Sequence, residues 1–281
     1  MSTTVAIASG KGGTGKTTLA VNMAMSSPSQ VLLLDCDVEG PNVHLFLRPE
    51  YSKRESVTVL KPVFDPLKCT GCGQCRKACR FNAIVILAGK PLFFEELCHS
   101  CGGCVRRCPA RAIKESPTRV GSLEAGTADG LFFAHGLLDI GQSRSSPLIA
   151  RVKEEGMKRG LVLIDAPPGT SCPMVESVRD ADFTVLVAEP TPFGLHDLKL
   201  AVMTVRKLEI PFAVVINRAD LGDESVKIYC FENAIDVLGE IPFDRRIAVL
   251  CSRGDVPSVS IPEYRAMFLA ILERVLCRIE K

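Results

Sequence analysis

Short, unbroken apolar runs recur along this chain: Val5–Ala8, Val31–Leu34, Leu131–Phe133, Leu161–Ile164, Phe183–Ala188, Phe212–Ile216 and Val237–Ile241. They do not alternate with polar residues, which is the pattern of strands covered on both faces. Between them, Lys16–Ser26, Pro147–Lys158, Gly194–Leu208 and Ser225–Val237 carry the spacing of helices. A last helix, Pro262–Ile279, gathers Tyr264, Met267, Phe268, Ile271, Leu272, Val275, Leu276 and Ile279 on one face. Its polar face mixes Glu263, Arg265, Glu273, Arg274 and Arg278, which favours packing on a sheet over lying on a membrane. Strands alternating with helices predict an α/β fold built on a doubly wound, mainly parallel sheet.

The rhythm breaks between Lys61 and Pro117. Here CTGCGQCRKACRFNAI (Cys69–Ile84) matches CHSCGGCVRRCPARAI (Cys98–Ile113) at an offset of 29 residues. All four cysteines of each half align, and the segments IVIL and PLFFEE around Ala88-Gly89-Lys90 read as a hairpin. The expected organisation is therefore a first part over 1–60, an inserted α+β module over 61–117 and a second part over 118–281. The glycine- and serine-rich stretch 118–144 carries no motif.

With 34 basic and 32 acidic side chains in 281 residues, the net charge of +2 argues against nucleic-acid binding by bulk electrostatics. The apolar runs are strand-length, too short to span a bilayer. The opening MSTTVAIASGKGG lacks a basic region and a cleavage site, so a cytoplasmic location without stable membrane association is expected. In such a reducing compartment, 13 cysteines, eight of them between Cys69 and Cys108, point to metal or redox use rather than disulfides.

Residues Gly10–Thr17, GKGGTGKT, satisfy the phosphate-loop pattern between a strand and a helix. Backbone amides freed by Gly10, Gly12, Gly13 and Gly15, with Thr14, Thr17 and Thr18, would cradle ATP phosphates at the positive end of the helix. Lys16 would reach the β- and γ-phosphates and Thr17 would ligate Mg²⁺. A second lysine, Lys11, follows the first glycine. This form resembles the deviant Walker A loop of the family that contains MinD, ParA, Mrp and the nitrogenase iron protein. The resemblance implies that Lys11 enters the nucleotide site of a partner across a nucleotide-dependent homodimer.

Further matches run along the chain. LLLDCDVEGPN (Leu32–Asn42) resembles the family's first switch, which implies that Asp37 orients or activates water and that Asp35 joins the Mg²⁺ shell. LVLIDAPPGT (Leu161–Thr170) resembles its Walker B strand and second switch, with Asp165 holding Mg²⁺ through water. VVINR (Val214–Arg218) resembles the adenine-reading strand end, assigning Asn217 and Arg218 to the nucleotide, and GEIPFD (Gly239–Asp244) recurs near the base.

Each half of the repeat reads C-x₂-C-x₂-C-x₃-C. The first three thiolates can hold three irons of one cubane while the fourth faces the other cluster. Cys69, Cys72, Cys75 and Cys108 should then hold one [4Fe–4S] cluster, and Cys98, Cys101, Cys104 and Cys79 a second. The pattern resembles bacterial two-cluster ferredoxins, with Arg80 standing where the second half has Pro109. Zinc is the competing reading, but it usually takes paired C-x₂-C knuckles farther apart. The module's ten basic and four acidic residues, net +6, would offset two anionic clusters. Cys36, beside the switch aspartates, and Cys172 are candidate redox sensors or small buried hydrophobes; His99 and His135 read as structural.

Together these features resemble MinD-superfamily P-loop ATPases carrying an inserted ferredoxin domain. That resemblance implies ATP hydrolysis coupled to dimer closure and to electron transfer through two clusters, toward a redox or metallocluster-assembly partner. Two alternatives stay open: an iron–sulfur cluster carrier or scaffold of Mrp type, and a positioning switch with redox-sensing clusters.

Overall fold

Apolar segments too short to satisfy their own backbone must pair. In the computed structural model, which describes residues 3–156 and 160–280, they do so in one large sheet. In chain order the elements are β1 (Thr3–Ala8), α1 (Lys16–Ser26), β2 (Val31–Asp35), α2 (Val43–Leu47), β3 (Glu50–Phe64), α3 (Gln74–Ala78), β4 (Ile84–Leu87) and β5 (Lys90–Phe93). They continue with α4 (Gly103–Arg106), β6 (Ile113–Ala128), β7 (Leu131–Leu138), α5 (Ser146–Glu154), β8 (Leu161–Asp165), α6 (Cys172–Val178), β9 (Phe183–Ala188) and α7 (Pro192–Lys207). The last are β10 (Phe212–Asn217), α8 (Ser225–Glu232), β11 (Val237–Ile241), α9 (Arg245–Ser252), α10 (Pro257–Ser260) and α11 (Pro262–Ile279).

The nine-stranded sheet runs β11-β10-β9-β1-β8-β2-β7-β6-β3. From β11 to β7 every pairing is parallel, and β6 and β3 add an antiparallel edge. The predicted doubly wound α/β architecture is therefore present. Its inner strands are covered on both sides, as their continuous apolar runs require. Ala6, Leu32 and Leu34 pack toward Leu148, Met174, Leu198 and Val226 of α5 to α8. Val5, Ile7 and Leu33 pack toward Leu19 and Met23 of α1 and Phe268 and Leu272 of α11. All eight apolar residues expected on the last helix lie in or against this second layer.

Several boundaries differ. The run beginning at Leu131 continues to Leu138 rather than stopping at Phe133, because the chain stays paired between β2 and β6. The helix expected over Ser225–Val237 ends at Glu232, where Ala234 takes φ 51° and turns the chain into β11. Helix α7 starts earlier than Gly194, since Thr191 caps it by accepting from the Gly194 amide and Pro192 suits the first turn. Helix α5 covers Ser146–Glu154; Lys158, the expected end, lies outside the described residues.

Strands β3 and β6 form a long ribbon, paired from Glu50↔Thr127 to Phe64↔Ile113, that runs unbroken through 60/61 and 117/118. At its far end sit both cysteine runs. There β4 and β5 make the expected hairpin, with Ala88 and Gly89 both left-handed (φ 48° and 76°), as a tight two-residue turn requires.

Candidate nucleotide site and cysteine cavities

The loop after β1 leaves the middle of the sheet and enters α1 at Lys16, where strand ends and a helix start converge. Two of its glycines, Gly10 and Gly15, are fixed by close approach. A Cβ on Gly10 would lie 2.1 Å from the carbonyl oxygen of Asp197, and one on Gly15 would lie 2.4 Å from Asn217 Nδ2. Gly15 also holds φ 93°, a left-handed value costing an ordinary L-residue about 1–2 kcal/mol. Gly15→Ala should therefore lower the melting temperature and weaken MgATP binding together, read by thermal denaturation and calorimetry.

Asn217 and Arg218, assigned to the nucleotide from sequence, stand at the end of β10. Asn217 Nδ2 donates to the Thr14 carbonyl at 2.8 Å and its Oδ1 accepts from the Arg218 amide at 3.0 Å. Both ends of the Asn217 amide are thus engaged by backbone groups, one of them in the phosphate loop.

The charged groups gather beside this loop. Lys16 is buried; desolvation lowers its pKa, while Asp165 and Asp37 pull it back up. Thr17 Oγ1 donates to Asp165 Oδ2 at 2.6 Å, and Asp165 is fully buried, so its carboxyl sits well above the usual range. Asp165 Oδ1, Thr14 Oγ1 and Asn42 Oδ1 are buried without a hydrogen-bond partner. The unpartnered Asp165 oxygen, on a carboxylate already held by the Thr17 hydroxyl, suits a hydrated divalent cation. Asp37 is half-buried and lines the same cleft.

Asp35 was expected from the resemblance in the Mg²⁺ shell. Its oxygens accept from three amides of the following segment: Asp37 at 3.1 Å, Asn42 at 2.9 Å and Val43 at 3.0 Å. Burial nevertheless raises its pKa from 3.8 to about 7. Over that window the native chain keeps a proton that the unfolded chain has released. Without nucleotide or metal, this group therefore makes unfolding easier as pH rises, by at most about 1.4 kcal/mol per pH unit. Comparing urea denaturation of the parent with Asp35→Asn between pH 4 and 7 reads the effect. The difference in slope should vanish above the raised pKa.

A cleft of ≈ 360 Å³ joins a polar end at Lys16, Thr17 and Asp37 to an apolar end at Ile241, Phe243 and Ile247. That size suits a small-molecule ligand. Helix α9, which supplies Ile247 and Cys251, had no sequence motif.

Lys11 is tied within its own chain. Its Nζ lies 3.2 Å from Glu189 Oε2, while Arg218 Nη1 donates to Glu189 Oε1 at 2.7 Å. Glu189 was missed from sequence, although it stands just beyond the buried strand FTVLVA, where the carboxyl ends of strands build ligand sites.

At the ribbon's far end the structure brings the cysteines together in two cavities. Cys69, Cys72, Cys75 and Cys108 line one, and Cys79, Cys98, Cys101 and Cys104 line the other. Each cavity draws three thiols from one repeat and the fourth from the other. Among the described residues no group of three or more His, Cys, Asp or Glu converges tightly enough for a single metal ion. Amides point at the sulfurs: Ser100 N–H to Cys98 Sγ at 3.4 Å and Ala112 N–H to Cys108 Sγ at 3.3 Å. Burial raises the Cys75 and Cys104 thiols, the latter to about 11, so their deprotonation needs a cationic group to drive it.

Of the remaining candidates, Cys36 is fully buried and its thiol is pushed up by desolvation, which makes it an inert core residue. Cys172 is exposed at the start of α6. His99 stacks on Phe81 at 3.5 Å, and His135 stacks on Tyr51 and meets Glu124 at 3.3 Å, both in packing roles.

A family model, the CobQ/CobB/MinD/ParA nucleotide binding domain, matches residues 5–257. An uncharacterized protein of Methanocaldococcus jannaschii is 30% identical, over 92% of this chain and 94% of its own length. An iron–sulfur cluster carrier protein of Pyrococcus abyssi is 24% identical, over 99% and 86%. Among solved structures, the septum site-determining protein MinD of Pyrococcus horikoshii with Mg-ADP superposes with a TM-score of 0.60 at 19% identity, covering 98% of this chain and 96% of that one. No helix among the described residues is long and apolar enough to cross a membrane. The chain belongs to the CobQ/CobB/MinD/ParA nucleotide-binding family and is a P-loop ATPase of that family.

Proposed function

We propose that this ATPase uses nucleotide-dependent dimer closure to control electron transfer through two [4Fe–4S] clusters in a module spanning 61–117, toward a redox or metallocluster-assembly partner. The observation that carries this reading is the pair of four-cysteine cavities on a ribbon continuous with the nucleotide-binding sheet.

In this reading, the amides of Gly10–Thr17 and the Lys16 ammonium hold the triphosphate. The Thr17 hydroxyl and Asp165 are already together and would hold Mg²⁺, which neutralises charge on the β- and γ-phosphates. Asp35, through its three amides, sets the path of the segment that presents Asp37. Asp37 then orients the attacking water. Lys11 must leave Glu189 before it can reach a partner's phosphates, so ATP competes with an internal ion pair. Bound clusters supply one-electron storage. The eight thiolates and the amides aimed at sulfur fix their position and temper their charge.

The test is the cluster midpoint potential measured anaerobically with MgADP and with a non-hydrolysable ATP analogue, alongside sedimentation. Closure with a shifted potential supports the reading. Closure with an unchanged potential and unchanged electron transfer counts against it. A second reading, a cluster carrier, is favoured by the Pyrococcus relative named for that role. Mixing with an apo-acceptor separates the two, since a carrier loses absorbance as the acceptor gains it.

A further inference from the structure

The glycine- and serine-rich stretch without a sequence motif supplies a direct link between the nucleotide switch and one cysteine cavity. Val38 follows Asp37, and its carbonyl accepts from the Leu138 amide at 2.9 Å. The Val38 side chain is buried against β7, with Cγ1 2.7 Å from where a Cβ on Gly136 would stand. Switch and strand end are therefore packed without slack. Beyond Leu138, the Asp139 amide donates to the Val120 carbonyl at 3.0 Å, and Arg119 holds the Asp139 carboxylate through Nε at 2.8 Å and Nη2 at 3.2 Å. The Gln142 amide closes a turn on the Asp139 carbonyl at 3.0 Å, over Gly141 at φ 86°. The strand end thus passes into a short, hydrogen-bonded strap.

The strap ends on the second cysteine run. Ser143 Oγ donates to the Glu96 carbonyl at 3.0 Å, and Arg144 Nη1 donates to the Cys98 carbonyl at 3.0 Å. Lys61, buried near the ribbon's cysteine end, braces the same segment through Glu95 at 2.9 Å. Among the described residues, no hydrogen bond from 138–144 reaches Cys69, Cys72 or Cys75. The two cavities are unequal in this respect.

We propose that residues 138–144 form a strap through which the nucleotide state at Asp37 and Val38 shifts Cys98 and its cavity while leaving the Cys69 cavity unaffected, with Arg144 as the positioning residue. The proposal rests on reading residues 35–42 as a nucleotide switch. It does not require a cluster to be present, because its links are backbone and side-chain contacts of the chain itself. Coupling of this kind requires a two-state element that both sites bias; the switch segment is that element and the strap its lever.

The test is amide hydrogen exchange, read by mass spectrometry on the full chain as purified without oxygen, with MgADP against a non-hydrolysable MgATP analogue. Iron is quantified in the same samples. Exchange across 96–101 should differ between the two nucleotides by about fivefold or more, while exchange across 69–75 stays equal. Arg144→Gln removes the contact to Cys98, and a two-glycine insertion after Gly141 slackens the strap; both should abolish the difference. A parent chain without a difference, an equal difference at both cavities, or persistence in either variant overturns the proposal. An iron-free preparation that still shows the difference would sink the cluster reading and leave the strap intact.

Discussion

Lys11→Ala should lower ATP turnover by about a thousandfold while leaving the first binding of MgATP nearly unchanged. Phosphoryl transfer is limited by charge developing on the transferred group, and a cation delivered by a partner is worth about 10³–10⁵ in rate. Lys11 does not line the nucleotide cleft of its own chain; its ammonium rests on Glu189. A cation placed there helps only if a second copy presents it. Lys16→Ala differs, because Lys16 lines the cleft and its loss should remove affinity as well as turnover. Steady-state hydrolysis beside equilibrium nucleotide binding separates the two. If Lys11→Ala keeps parental turnover, the cross-subunit role is wrong.

The second large effect is expected at Cys79. It belongs by sequence to the first cysteine run, yet it lines the cavity of Cys98, Cys101 and Cys104. Cys79→Ala should strip the cluster of the second run and spare that of the first, lowering iron from about eight to about four per chain. Cys108→Ala should do the converse. Iron analysis with electron paramagnetic resonance distinguishes this crossed arrangement from two independent quartets, for which Cys79→Ala would spare the Cys98 cluster.

The parallel sheet was legible because its strands are buried on both faces, so Val31–Leu34 and Phe183–Ala188 read as unbroken apolar runs. The last helix was legible for the complementary reason, a single apolar face. Strands β3 and β6 were not. Their burial alternates with exposure along much of their length, and Pro62, Pro117, Gly121 and Gly126 give them the composition of a loop. Only long-range pairing makes them strands, and no local pattern encodes a partner so far along the chain as Thr127 is from Glu50.

In the site, the phosphate loop and cysteine spacings were readable because each chemistry fixes residue type at short intervals. Glu189 and Arg144 were not, since each is a lone charged residue whose partner lies far along the chain. The role of Asp35 divides between the two cases. The sequence places it beside the switch, but its three amide contacts depend on how 37–43 folds back.

One measurement bears most directly on the proposed coexistence of a nucleotide switch and iron–sulfur chemistry in this chain: iron and sulfide analysis of anaerobically purified protein, with low-temperature electron paramagnetic resonance before and after MgATP. The account predicts about eight irons and eight sulfides per chain and a reduced-cluster spectrum that changes with nucleotide. Colourless, iron-free protein with full ATPase activity, or a spectrum indifferent to MgATP, would contradict it.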